Sequence, residues 1–145
     1  MPNEKFSPPS RTFPESIQSC LQKYADFDGR ASRSEYWWFF LFGWLCQVGG
    51  FFLGGTIGVT SGFFLSIFTV VALLLPTLAV GARRLHDINM SGWLQLSLIV
   101  YPLGLLSESR GMILLGLIIV IVFVVLFAAD GKPEKNRYDE PSTRQ

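Results

Sequence analysis

Residues 36–82 read YWWFFLFGWLCQVGGFFLGGTIGVTSGFFLSIFTVVALLLPTLAVGA, and none of these 47 positions is Asp, Glu, Lys, Arg or His. One α-helical crossing of a bilayer takes about 20 apolar residues, so the run is too long for one span and suits two joined by a tight turn. Tyr36, Trp37 and Trp38 open it as an interfacial aromatic belt. Gly50, Gly54, Gly58 and Gly62 recur at every fourth position. In one continuous helix that spacing is a close-packing stripe, but here it straddles the place where the chain must reverse. The reading is a glycine-rich turn near 56–62, with Gly50 and Gly54 available for helix contact. Pro76 removes a backbone donor and is expected to kink the second span.

The pattern continues on both sides. Downstream, residues 83–91 (RRLHDINMS) are a polar interruption, and residues 88–107 and 111–129 are again free of ionisable groups. They predict a third and a fourth span joined by Glu108-Ser109-Arg110. The third is short: about 15 residues remain after its turn, or about 22 Å of α-helix, against a hydrocarbon core of about 30 Å. Pro102 disturbs it further. Upstream, Pro14 opens an amphipathic stretch with Ile17, Cys20, Leu21 and Tyr24 on one face, either lying on the membrane surface or packed on the protein's own loops. Ser32 and Glu35 have capping-box spacing at the head of the first span, and Glu35 is also placed to pair with Arg30 or Arg33. The expected fold is an all-α membrane protein of four transmembrane helices behind a short interfacial helix. The expected layout is a flexible tail at 1–13 and one membrane domain at 14–129. Within that domain lie the interfacial helix 14–28 and spans at about 36–56, 62–82, 92–107 and 111–129. A polar cytoplasmic tail follows at 130–145.

Composition supports this. Half of the 145 residues are apolar and 16% are charged, where soluble domains carry roughly 25%. Only five charges, Arg83, Arg84, Asp87, Glu108 and Arg110, fall between Tyr36 and Ala129. A soluble globule, a disordered chain and a basic nucleic-acid binder are excluded by that distribution. For four spans, eleven Lys and Arg residues fall on the side shared by the tails and the middle loop and one on the other. The positive-inside rule then puts both termini in the cytoplasm. Cys20 and Cys46 are too differently placed for a disulfide. His86, the single histidine, lacks the company a metal site needs, so no metal and no cofactor are expected. The polar first 35 or so residues do not resemble a signal peptide.

Three polar clusters converge on the expected cytoplasmic face: Asp28-Gly29-Arg30-Ala31-Ser32-Arg33-Ser34-Glu35-Tyr36-Trp37; Ala82-Arg83-Arg84-Leu85-His86-Asp87 with Ser91-Gly92-Trp93; and Asn136-Arg137-Tyr138 with Pro141. In this order and between these spans they resemble the domain-of-unknown-function family 805 of bacterial inner-membrane proteins, over about residues 20–141. The first is similar to that family's GRxSRxEYW stretch, the second to RRLHDxxxSGW, and the third to an NRYGxxP-type tail with Asp139 in place of glycine. The resemblance implies a bacterial inner-membrane location and adds no mechanism, because the family's activity is not established.

Arginine forks suit phosphate oxygens, and tryptophans can wall such a site. The candidate ligand-binding residues are Arg30, Arg33, Glu35, Trp37, Arg83, Arg84, His86, Asp87, Ser91, Trp93, Asn136, Arg137 and Tyr138. The expected ligand is an anionic lipid headgroup or a membrane-protein partner; a homo-oligomer is the further option. No catalytic residue is assigned. The alternative is that the arginines only set topology and the tryptophans only anchor. Among functions, a non-enzymatic accessory or scaffold protein leads. A small oligomeric transporter or channel is disfavoured because no ionisable group lies at mid-membrane. A membrane immunity protein, and a lipid-modifying enzyme using His86 and Asp87, follow.

Overall fold

A computed structural model describes residues 8–134 and 136–138. The secondary structure of the described residues is all helical: α1 (Phe13–Gln22), α2 (Arg33–Ile57), α3 (Val59–Asp87), a 3-10 segment (Gly92–Ile99), α4 (Val100–Leu106) and α5 (Arg110–Ala128). Helices α2, α3 and α5 are long and apolar enough to cross a membrane; Gly92–Leu106 is a shorter apolar helical stretch. The chain forms two compact units. One holds Ser10–Phe27 and Ser34–Val80, the other Met1–Pro9, Asp28–Arg33 and Gly81–Gln145.

In the first unit α1 begins where the sequence places it, with Pro14 in its first turn and the Glu15 carboxylate accepting from the Thr12 amide at 2.8 Å. That backbone hydrogen bond, above all, holds the Glu15 carboxyl below its ordinary value. The helix stops at Gln22 rather than continuing to 28. Asp26 and Asp28 follow, and aspartate competes for backbone groups outside helices. Its covered face is Ser16, Ser19 and Cys20, while Leu21 and Tyr24 stay exposed. Phe13 meets Trp38 edge to face at 5.7 Å, so α1 packs on the start of α2.

The turn between α2 and α3 is narrower than expected, because Gly58 alone separates the two helices. Its φ of 157° is a conformation that a side chain strains. With the reversal confined to one residue, the rest of the stripe is free to pack. A Cβ on Gly62 would lie 3.0 Å from the Phe51 carbonyl oxygen and the Gly55 nitrogen, and one on Gly50 would lie 3.5 Å from Leu65. The turn and the stripe therefore coexist.

Pro76 lies inside α3. Proline has no N–H for the carbonyl four residues back, here that of Ala72. The Tyr24 hydroxyl donates to that same carbonyl. Inside a bilayer such an oxygen must find a donor within the protein, and Tyr24 supplies it. Tyr24→Phe is expected to cost about 1 kcal/mol in unfolding experiments. In a Pro76→Ala background, where the amide donor is restored, the same change should cost nothing measurable.

In the second unit the third apolar stretch is not one α-helix. Gly92–Ile99 winds as 3-10 before α4. Pro102 would crowd the carbonyl four residues earlier in an α-helix. Gln95 Nε2 donates to the Gly92 carbonyl at 3.2 Å and Ser97 Oγ to the Leu94 carbonyl at 2.7 Å. At about 2.0 Å rise per 3-10 residue the stretch reaches about 26 Å, longer than the same residues would as α-helix. At the next turn Ser109 N donates to Gly104 O (3.1 Å) and Glu108 N to Leu105 O (3.3 Å), with Glu108 at φ 51°. This is a Schellman end that runs straight into the Ser109 cap of α5. Gly104 packs on the Ile113 backbone and Gly116 on that of Tyr101.

Candidate functional site

The site grows from the end of α3. The sequence reading treats 83–91 as a loop, but Arg83 to Asp87 are the last turns of the helix. Met90 N donates to Leu85 O and Asn89 N to His86 O, both at 2.9 Å, with Asn89 at φ 64°. This Schellman end uses asparagine for the left-handed position and turns the chain into Ser91-Gly92. A Cβ on Gly92 would lie 2.7 Å from the Ala82 Cβ. The RRLHDxxxSGW spacing thus encodes a helix end, a left-handed cap and a close return onto the same helix. Residues 81–87 are buried at every position.

Burying arginines is costly unless their donors are satisfied. Arg84, 0% exposed, spends its fork on its own chain. Nε donates to the Phe127 carbonyl at 3.1 Å, one terminal nitrogen to the Ala129 carbonyl, and the other to Asp87. Arg33 adds the Ala128 carbonyl at 3.3 Å and an ion pair with Asp130 at 3.0 Å. Three successive carbonyls at the end of α5, which a helix leaves without partners, are capped by two arginines at the negative end of its dipole. Arg30 donates to the carbonyls of Lys132 (2.9 Å) and Glu134 (3.4 Å) and lies 3.8 Å from Asp87. The Arg83 carbonyl accepts from the Ala31 amide at 3.1 Å.

The chain beyond α5 folds back over this helix end. Lys132 N donates to the Asp87 carbonyl at 3.0 Å. Gly131 lies against the Asp87 carboxylate, where a Cβ would collide. Asn136 Nδ2 donates to the His86 carbonyl at 2.8 Å, and Asn136 Oδ1 accepts from Tyr138 N at 2.9 Å. Tyr138 stacks on His86 with centroids 3.7 Å apart and planes 5° apart, and Arg137 lies over the Tyr138 ring at 4.7 Å. His86 Nδ1 is 3.2 Å from the Gly29 carbonyl. A carbonyl only accepts, so Nδ1 carries the proton there.

Of the candidate residues, Arg30, Arg33, Arg84, His86, Asp87, Asn136 and Tyr138 are drawn into this one cluster. Arg83 is buried beside them in sequence. Ser91 precedes the 3-10 segment and its carbonyl accepts from Leu94 N at 3.2 Å, and Trp93 is 79% exposed. Glu35 and Trp37 belong to the other unit. Glu35 accepts from Ser19 Oγ at 3.0 Å and pairs with Arg11 at 3.3 Å, a partner its spacing from Ser32 does not suggest. Trp37 packs edge to face on Tyr36 and Phe40. Gly131 and the carbonyls of Gly29 and residues 127–129 were not anticipated. An Asp-Gly pair directly after an apolar span was the available signal. Pro141 lies outside the described residues. Among the described residues, no three His, Cys, Asp or Glu side chains gather as a metal ion would require.

No solved structure matches the chain. The inner membrane protein YhaI of Escherichia coli strain K12 is 34% identical over 124 residues, 83% of this chain and 88% of that protein. The inner membrane protein YhaH of the same strain is 32% identical over 126 residues, 81% and 88% of the respective chains. A family model described as a protein of unknown function, DUF805, matches residues 24–140. A match over that much of the chain, joined to an apolar helical fold and relatives named for the inner membrane, shows that this is a membrane protein belonging to the DUF805 family.

Proposed function

We propose that this chain is a four-span accessory protein of the bacterial inner membrane, with both termini cytoplasmic and no catalytic activity. In this reading its cytoplasmic face meets anionic lipid headgroups. Support for a crossing by the third apolar stretch comes from the 3-10 winding of Gly92–Ile99, which brings a 15-residue stretch near bilayer thickness. Support for the orientation is the eleven-to-one division of Lys and Arg.

The observation that carries the functional reading is the division of labour among the polar residues. Asp87, which a lipid-modifying enzyme would use with His86, is bonded to Arg84, and Arg84 in turn to the Phe127 carbonyl. Lys132, Arg137 and Trp93 are exposed. Exposed cations and an exposed tryptophan suit the surface of an anionic leaflet.

Native mass spectrometry in mild detergent tests this. Wild type should retain phosphatidylglycerol, and Lys132→Gln with Arg137→Gln should lower that affinity about thirtyfold, at about 1 kcal/mol per cation. Reporter fusions should place both termini inside. Equal retention by the variant would assign the cations to topology alone and move the search to protein partners.

A further inference from the structure

We infer that residues 131–134 and 136–138 belong to a releasable strap whose departure opens a phosphate-accepting site at Arg30; this rests on the headgroup reading above. Among the described contacts that hold the strap, most are polar: the Lys132 amide on the Asp87 carbonyl, two carbonyls on Arg30 and Asn136 on the His86 carbonyl, with the Tyr138 ring stacked on His86. Residues 132–134 and 137 are exposed, and no described residue of the strap is fully buried. A segment held by a few hydrogen bonds and little apolar burial belongs to the low-stability end of a fold. The helix end beneath is of the opposite kind, buried from Gly81 to Asp87.

The bonds the strap makes are ones a phosphate can replace. Arg30 now holds two neutral carbonyl oxygens. A phosphate offers charged oxygens to the same fork, and charge-assisted bonds are roughly twice as strong as neutral ones. The Asp87 carboxylate lies 3.8 Å from Arg30 and is also paired with Arg84, so Arg30 is not its sole cation. Arg84 stays committed to the end of α5, so Arg30 is the residue that changes partners. Gly131 sets the balance: with no side chain it can lie on the Asp87 carboxylate, and any larger residue lifts the strap. Strap and phosphate therefore compete for one arginine; phosphatidylcholine offsets its phosphate with its own ammonium, so phosphatidylglycerol, which does not, opens what phosphatidylcholine leaves closed.

Hydrogen exchange of the full chain in nanodiscs is the test. Pure phosphatidylcholine, phosphatidylcholine with phosphatidylglycerol, and phosphatidylcholine with inorganic phosphate form the three arms. The Lys132 and Tyr138 amides should exchange at least tenfold faster with phosphatidylglycerol. A like response to inorganic phosphate would make free phosphate a sufficient ligand; a response to phosphatidylglycerol alone would make it the lipid. Gly131→Val, and separately Asn136→Ala with Tyr138→Ala, should retain severalfold more phosphatidylglycerol by native mass spectrometry, and Arg30→Gln should cancel that gain. If wild type retains the lipid while strap exchange is the same in all arms, the strap inference falls and the headgroup reading stands. If no form retains anionic lipid and phosphate changes nothing, both fall.

Discussion

Arg84→Met should destabilise the protein more than any other single substitution of a charged residue, by about 3–5 kcal/mol, the range for removing one partner of a buried ion pair. The change strips donors from the Phe127 and Ala129 carbonyls and takes the nearer cation from Asp87, all at a site closed to water. Unfolding in detergent or nanodiscs, read as a midpoint shift, measures it. Two comparisons separate this from a topological role. Arg33→Ala removes a cation that the positive-inside rule counts equally, but its pair with Asp130 is largely exposed; the expected cost is below about 1 kcal/mol. Arg84→Met combined with Asp87→Leu should cost less than Arg84→Met alone, because the buried carboxylate goes with its partner. Arg84→Lys should rescue little, since one ammonium cannot reach acceptors spread over two carbonyls and a carboxylate. Equal losses for Arg33→Ala and Arg84→Met, with normal insertion of both, would return Arg84 to a topology signal.

That contrast also marks how far the sequence could be read. The apolar runs are legible because a bilayer admits few backbone solutions, and charge-free stretches of the right length leave little choice. Helix ends were less legible. The Arg83–Asp87 segment looks like a loop by polarity, yet it is helix, and Arg84 and Asp87 find partners in each other, the end of α5 and the returning chain rather than in water. The RRLHDxxxSGW motif was specific as a pattern, but its meaning depends on groups that no local reading supplies: the carbonyl of Gly29, the carbonyls of residues 127–129, and the missing side chain of Gly131. Glu35 shows the same limit. Its spacing from Ser32 suggested a cap, while its carboxylate bonds to Ser19 and Arg11, residues 16 and 24 positions earlier. The third apolar stretch measures about 22 Å only on an α-helical rise, and its first eight residues wind as 3-10 instead. Side-chain bonds from Gln95 and Ser97 and the proline beyond them select the longer 3-10 rise.

Gly54→Ala and Gly55→Ala, adjacent and identical in chemistry, should act in opposite directions. A Cβ on Gly54 would collide with the backbone of Gly62 and lie 3.0 Å from the Ser61 carbonyl carbon; a Cβ on Gly55 would meet nothing within 4 Å. Backbone cannot swing aside as the tip of a side chain can, so at Gly54 helices α2 and α3 must separate. Overpacking of this kind costs about 1–3 kcal/mol, and a larger residue such as leucine costs more. At Gly55 the added methyl removes backbone freedom from the unfolded chain and contributes up to about 1 kcal/mol of stability. Gly50→Ala, whose Cβ would make ordinary contacts with Leu65 and Thr69, should lie between them. Thermal midpoints of the three variants, measured in one detergent, give the order. A fourfold repeat read as a loop predicts indifference at all three sites, because loops tolerate a methyl group. A stripe read as one continuous dimerisation face predicts losses at Gly50 and Gly54 that depend on protein concentration. Loss at Gly54 alone, independent of concentration, is what an internal α2–α3 contact requires, and the one-residue turn at Gly58 is what brings the two backbones close enough to make it.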